Sequence, residues 1–275
     1  RTCAYIYVRC THDICFWLSF CLDFTPPFSK FFSMPKTKVK QKTKTKTTGS
    51  DAKHAKKITT VTVALLAYIA SAVEILPVQI GVLPGQITMG SACSGWCSEL
   101  FAARKMSIDF LPVFGCDNEL FVRTLSHAVH GHKNFYIDVF SPDFMSCGFR
   151  VDFFMAGFPC QDFSMQGHGN GIQGDKGIVI MGILKWIAIH KPKSFLLENV
   201  KGLLTMHAGT LLLIVQILQS IKHNGKQLYE VSWKLLNERT HGGIPQNRER
   251  VFIIGIRSDC KKLKVVWPGE AGVAE

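Results

Sequence analysis

The chain has 275 residues, 47% hydrophobic and 19% charged, with 23 Gly and 11 Pro. That balance excludes a wholly disordered or collagen-like protein and suits one globular domain with appendages. Lys and Arg total 32 against 20 Asp and Glu, a formal net charge of +12, so an acidic partner such as nucleic acid or an anionic surface is favoured over a basic one.

Residues 1–33 begin with Arg, hold four of the ten cysteines and contain no methionine; Met34 is the first. The expectation is that translation starts at Met34 and that residues 1–33 are upstream sequence, not native protein. A secretion signal fits poorly, because the apolar run Cys15–Leu22 is short, Asp13 precedes it, and Pro26, Pro27 and Lys30 follow without a small-residue cleavage site. Between Lys36 and Lys57 nine lysines face one acid, Asp51, which places +8 of the net +12 in this stretch. Alternating Lys and Thr with almost nothing to bury cannot offset the entropy of ordering, so residues 34–57 are expected to be a basic disordered tail. Such a tail is a solvated spacer, a sliding contact for phosphates, or a nuclear-import signal, and a nuclear, intracellular location is expected from it.

Residues 58–85 read as a linker with a packing helix over Val61–Val73. That run ends at Glu74, short of the roughly 20 apolar residues a bilayer needs, so no membrane partner is expected. From residue 86 to 275, short apolar runs alternate with helical stretches. Strands are predicted at Ile87–Ala92, Phe110–Cys116, Phe135–Val139, Val151–Ala156, Ser194–Leu197, Tyr229–Leu236 and Val251–Ile256. Helices are predicted at Ser98–Lys105, Glu119–Val129, Ile178–His190 and Thr210–Lys222. Near-continuous apolar strands alternating with helices indicate an α/β domain, a mostly parallel sheet with helices on both faces. Ligands of such folds sit at the carboxyl ends of the strands.

Cys93, Cys97, Cys116, Cys147, Cys160 and Cys260 form no Cys-x-x-Cys pair, as suits an intracellular protein. His127, His130 and His132 lack cysteine partners at metal-site spacing and are expected to be solvated helix-end residues, so no metal is expected. Gly169–Gly174 satisfies G-x-G-x-x-G, yet about a dozen residues separate it from the preceding strand, so it is not read as a dinucleotide site. Glycines 167, 169, 171, 174 and 177 instead describe a mobile loop able to close over something bulky.

The informative segment is Val151 to Gln161, where a buried strand runs into Gly157-Phe158-Pro159-Cys160-Gln161. It places a thiol at a strand's carboxyl end. A cysteine starts near pKa 8.5, so attack on carbon needs nearby donors or positive charge.

These residues, with two later motifs, resemble the cytosine-C5 DNA methyltransferase family. Gly157–Gln161 is similar to its nucleophile motif, Phe195-Leu196-Leu197-Glu198-Asn199-Val200 to its Glu-Asn-Val motif, and Gly243 to Arg250 to its Gln-x-Arg-x-Arg motif. The order and separations match as well. The resemblance implies a Rossmann-like S-adenosylmethionine-dependent methyltransferase fold and methyl transfer to C5 of cytosine in DNA, with the base flipped out of the duplex. It implies that Cys160 adds to C6, that Glu198 relieves charge near N3, and that Arg248 and Arg250, two apart on one face of an extended segment, meet the base, the catalytic loop or phosphate. Gln161, Asn199 and Gln246 are implied to face the substrate, Asn199 also holding the loop. For S-adenosylmethionine it implies Asp117 at the ribose, Asp138 and Val139 at the adenine, and Gly157, Phe158 and Pro159 along the other side.

Two departures from the family pattern stand out. Met89 to Glu99 takes the place of Phe-x-Gly-x-Gly-Gly, and in that register Gly95 matches while Trp96 and Cys97 put side chains where backbone approaches the cofactor; Ser94, Gly95 and Trp96 are the cofactor candidates here. After Arg250 and a last strand the chain ends at Glu275, leaving no room for a target-recognition region, so a truncated catalytic domain is expected. The alternatives are a tRNA cytosine-C5 methyltransferase, in which the nucleophile motif usually reads Pro-Pro-Cys-Gln, and a catalytically inactive nucleic-acid-binding fragment relying on its lysines. A cysteine hydrolase would need a fitting His partner, and none adjoins a strand end.

Overall fold

The computed structural model describes residues 75–132, 134–163, 174, 177–242, 245–260 and 265–269. The expected start at Met34, the lysine tail, the Val61–Val73 helix and glycines 167, 169 and 171 all lie outside the described residues. In chain order the elements are β1 (Ile87–Ala92), α1 (Ser98–Lys105), β2 (Phe110–Cys116), α2 (Leu120–His130), β3 (Asn134–Tyr136), α3 (Pro142–Met145), β4 (Phe153–Gly157) and α4 (Val179–His190). There follow β5 (Ser194–Val200), α5 (Gly202–Thr205), α6 (Ala208–Ser220), a small hairpin of β6 (Lys222–His223) and β7 (Lys226–Gln227), β8 (Tyr229–Asn237), α7 (Glu238–Gly242) and β9 (Glu249–Arg257).

Seven strands form one sheet in the order β3-β2-β1-β4-β5-β9-β8. The first five are parallel, and β9 runs antiparallel between β5 and β8. Sequence order reverses at the junction of β1 and β4, which makes the carboxyl ends of those two strands the switch point where a Rossmann-like sheet opens a crevice.

The pleat explains why the central strands read as unbroken apolar runs. In β4, Phe154 and Ala156 join Phe195, Leu197, Val251 and Ile253 against α4 and α6 on one face. The intervening Met155 packs on the opposite face with Leu196, Leu236 and Phe252, backed by Trp267. On that second class of surface Met89 meets Cys97, Leu100 and Ala103 around α1. Burying both faces removes each strand from water, and each large apolar side chain so buried contributes about 1.5–3 kcal/mol. The main core is aromatic at its centre: Trp186 stacks on Phe154 at 4.3 Å and on His190 at 4.4 Å between ring centroids. Gly255 has no Cβ because one there would run into the Phe195 ring.

Candidate active site

The carboxyl ends of β3, β2, β1, β4 and β5 lie side by side, and the residues after each strand build one rim. At β1 the chain turns through left-handed backbone at Cys93, Gly95 and Cys97, with φ of 50°, 48° and 50°. Hydrogen bonds fix that turn to β2: Ser91 Oγ meets Ser94 Oγ at 2.8 Å, the Cys116 N–H donates to Ser94 Oγ at 2.9 Å, and the Ser94 N–H donates to the Cys116 carbonyl at 3.1 Å. Next to them the Gly95 N–H donates to Asp117 Oδ2 at 3.0 Å, while Asp117 Oδ1 accepts from the Glu119 N–H. Beside Gly95 a Cβ would meet nothing within 4 Å, so the backbone there borders open space. Asp138 follows β3 and is exposed; Val139 is buried behind it.

Trp96 and Cys97, next to Gly95, each take a contact on α2. The Trp96 ring sits edge-on to Phe121 at 5.7 Å, and Cys97 is buried with its Sγ 3.3 Å from Ser126 Oγ. The histidines of this region are a correction, since His130 and His132 are buried, not solvated. Arg104 Nη1 lies 3.0 Å from His130 Nδ1. Arginine can only donate, so Nδ1 accepts and Nε2 carries the proton toward the Trp96 carbonyl 3.3 Å away. Burial, and secondarily the Arg104 charge, lower His130 to a pKa of about 4. His132 closes the network with Nδ1 2.6 Å from Ser126 Oγ.

Across the switch point, β4 and β5 pair in register with Gly157 opposite Glu198. Cys160 therefore stands three residues beyond the strand position that faces Glu198. The turn carrying it is closed by the Phe163 N–H on the Cys160 carbonyl at 2.9 Å, and Cys160 is partly exposed while Phe158 is buried. Asn199, almost fully buried, donates Nδ2 to the Phe158 carbonyl at 3.0 Å and accepts the Val200 N–H at Oδ1. Its amide is thus committed to tethering the Cys160 turn to β5.

Glu198 faces Phe252 across the antiparallel β5–β9 ladder, and Arg250 lies two residues along β9 on the same face. That diagonal is within reach of long side chains, and Arg250 Nε sits 2.9 Å from Glu198 Oε1 with each side chain 19% exposed. Burial pushes the Glu198 carboxyl above the usual carboxylate range, opposed by the charges of Arg250 and Arg248. Burial and the two guanidinium charges thus act on this carboxyl in opposite directions. Arg248 takes a different contact, with Nε 3.3 Å from Oε1 of the buried Glu238 at the start of α7. Gln161 and Gln246 are exposed near these turns, the Gln246 carbonyl accepting the Arg248 N–H at 3.0 Å.

Sequence reasoning passed over Asp162. It is buried, its Oδ2 accepts the Gly177 N–H at 2.8 Å, and its carboxylate fills the space a Cβ on Gly174 would need. Two of the five loop glycines, Gly174 and Gly177, therefore lie against the Cys160 turn, and at Gly174 the lack of a side chain allows the close approach. Glu238 was passed over as well. For both acids the available signal was a carboxylate at the edge of a predicted element. Among the described residues no group of three or more His, Cys, Asp or Glu is arranged to hold a metal ion, and no helix is long and apolar enough to cross a membrane.

The chain is 42% identical over 115 residues to Type II methyltransferase M.BanI of Aneurinibacillus aneurinilyticus, covering 42% of this chain and 25% of that protein. It is 39% identical over 112 residues to Type II methyltransferase M.DsaV of Dactylococcopsis salina, covering 40% and 30%. The chain thus spans about a quarter to a third of these curated relatives. A crystal structure of the S. pombe Dnmt2 methyltransferase aligns at TM-score 0.49 and 17% identity, over 66% of this chain and 52% of that one. The nuclear location expected from the lysine run is overturned, because these curated relatives are Type II methyltransferases of bacteria, whose cells have no nucleus. The family model described as C-5 cytosine-specific DNA methylase matches residues 124–270, more than half of the chain, from within α2 to beyond β9, and the chain belongs to that family.

Proposed function

We propose that residues 86–275 form a catalytic domain that transfers a methyl group from S-adenosylmethionine to C5 of cytosine in DNA. The observation that carries this reading is the Glu198–Arg250 pair, held at the end of β5 in register with the turn that presents Cys160. The target base leaves the duplex at a cost of a few kcal/mol, offset by contacts in the pocket and along the backbone. The Cys160 sulfur, as thiolate, then forms a bond to C6 while the C5=C6 π pair shifts to C4–C5 and the N3=C4 pair moves onto N3. Glu198 relieves the resulting charge by giving a proton or a hydrogen bond at N3. Once C5 carries the methyl group, loss of the C5 proton to solvent and expulsion of the sulfur from C6 restore the C5=C6 bond. Arg250 holds the Glu198 carboxyl in place, and Asn199 fixes the height of the Cys160 turn relative to it. Arg248, Gln161 and Gln246 border the approach to this site.

The donor set at the rim suits S-adenosylmethionine. Gly95 leaves open backbone beside the switch point, Asp117 presents a carboxylate after β2 for the ribose hydroxyls, and Asp138 with Val139 offers an acidic and an apolar group for the adenine. Ser94, Trp96, Gly157, Phe158 and Pro159 complete the border, Trp96 through its backbone. When bound, the cofactor supplies an electrophilic methyl group.

The test is a duplex bearing 5-fluorocytosine, incubated with the chain and S-adenosylmethionine and resolved by denaturing electrophoresis. A covalent protein–DNA band that disappears in Cys160→Ala is expected. A band that persists in Cys160→Ala, or robust transfer of labelled methyl to tRNA with none to DNA, would overturn the proposal. Phe158 in the position before Pro159-Cys160, where the tRNA-acting branch usually has proline, favours DNA.

A further inference from the structure

A cavity of about 340 Å³ lies at the opposite end of the parallel strands from the catalytic rim. Lys191 ends α4 just before β5 begins, and Arg257 ends β9, which runs antiparallel to β5, so both stand at the amino edge of the parallel strands. Cys160 stands at the carboxyl edge. The two sites are separated by the length of the strands, and one base in the catalytic pocket cannot occupy both.

The cavity is lined by Arg150, Lys191, Lys226 and Arg257, together with His223 and one acid, Asp259. Asp259 is already committed: Arg257 donates from Nε to Oδ1 at 2.8 Å and from Nη2 to Oδ2 at 2.6 Å. No carboxylate among the described residues pairs with Arg150, Lys191 or Lys226. Three cations therefore line one concave surface with no carboxylate partner among the described residues, and like charges gathered in this way favour an anion.

Its walls are fixed by backbone, not by the long side chains. Asn224 and Gly225 both have left-handed φ, 50° and 76°, and join β6 to β7 as a two-residue hairpin that sets His223 opposite Lys226. Lys191, also left-handed at φ 49°, caps α4, and its carbonyl accepts Arg257 Nη1 at 2.9 Å. The Ser258 N–H is bound to the Leu228 carbonyl at 2.8 Å, which joins the end of β9 to the start of β8. A preformed cationic hollow of this size matches a small ligand better than an extended duplex, which is bound by cations spread along a strip.

We infer that this cavity binds a small diphosphate- or triphosphate-bearing anion, its phosphates meeting Arg150, Lys191 and Lys226. Isothermal titration of the full chain with inorganic pyrophosphate and with ATP tests it, alongside Arg150→Glu and Lys226→Glu. Lys105→Glu, an exposed cation on α1 away from the cavity, serves as control, and urea unfolding checks that each variant folds. The expected result is one saturable site, weakened at least about tenfold by either cavity variant and unchanged in the control, as loss of a charge-assisted contact predicts. Absence of saturable binding of both probes, equal affinity in the cavity variants, or a short duplex whose binding is lost in Lys226→Glu while excess pyrophosphate fails to displace it from the wild-type chain would each overturn the inference.

Discussion

Removing Arg250 probes the feature on which the proposed chemistry depends, a carboxyl held between burial and positive charge. Arg250 Nε and Glu198 Oε1 are 2.9 Å apart, with 19% of each side chain exposed. For charge centres about 4 Å apart at an effective permittivity near 20, the gross attraction is about 4 kcal/mol. Desolvation of both ions and residual water contact offset roughly half of it, leaving a coupling of about 2 kcal/mol. The coupling also has a pH sign. Burial raises the Glu198 pKa against the opposing arginine charges, so the carboxyl is charged and the pair fully formed above its folded-state pKa, and the attraction is lost as pH falls through it. The measurement is a double-mutant cycle of wild type, Arg250→Ala, Glu198→Gln and the double variant, by urea unfolding followed through tryptophan fluorescence. We expect about 2 kcal/mol of coupling at pH 8, shrinking toward zero in acid. A coupling under about 0.5 kcal/mol at pH 8, or one that does not change with pH, would refute the reasoning.

Acid should unfold this protein early. Burial lowers His130, His132 and His190 to pKa values of about 4 from an ordinary 6.5, so the unfolded chain binds more protons between pH 6.5 and 4, and stability is lost as pH falls through that window. Each imidazole contributes up to about 3 kcal/mol; Glu99, raised by burial to about 7, acts in the opposite direction and offsets about one of the three. A Tm that stays level or rises from pH 6.5 to 4 would contradict this. At the nucleophile turn, Asp162→Ala leaves the buried Gly177 N–H without its carboxylate and should cost about 2 kcal/mol, with Asp162→Asn milder. Gly174→Ala drives a methyl group into the Asp162 carboxylate and should cost about 1–3 kcal/mol. In an Asp162→Ala background that added cost should nearly vanish, and full additivity in urea unfolding would show that the two residues do not touch.

Much of the sheet was legible because its strands are covered on both faces. β1, β2 and α1 begin and end where their apolar runs do, and β8, β9, α2, α4 and α6 fall within a residue or two of the predicted spans at most ends. The prediction for β4 began two residues early because Val151 and Asp152 are tied down outside the strand: the Asp152 N–H bonds the Thr88 carbonyl and hydroxyl, and its carboxylate takes Thr88 and Lys193. The short α3, α5 and α7 and the β6–β7 hairpin had too few residues to show a period. Burial of His130 and His132 was unreadable for another reason, since their partners, Arg104 with the Trp96 carbonyl and Ser126, come from other parts of the chain or depend on how the helix end is packed.

The candidate site divides along the same line between local and nonlocal information. Placement of Cys160 and Glu198 at neighbouring strand ends follows from two apolar runs each ending in a polar residue, a local signal. The division of labour between Arg248 and Arg250 does not, because both stand two apart on one extended segment and alternation alone gives them the same face. What separates them is the antiparallel return of β9 beside β5. The ladder pairs Val200 with Arg250 and Glu198 with Phe252, which sets Arg250 on the diagonal to Glu198, while Arg248 falls just outside the strand, where Glu238 of α7 meets it. A guanidinium 52 residues away in sequence is delivered to the acid by strand direction and register, and a one-residue slip of β9 would turn Arg250 to the opposite face and leave Glu198 buried without that charge. The chemistry proposed for this rim therefore depends on β9 as much as on the strand that carries the nucleophile.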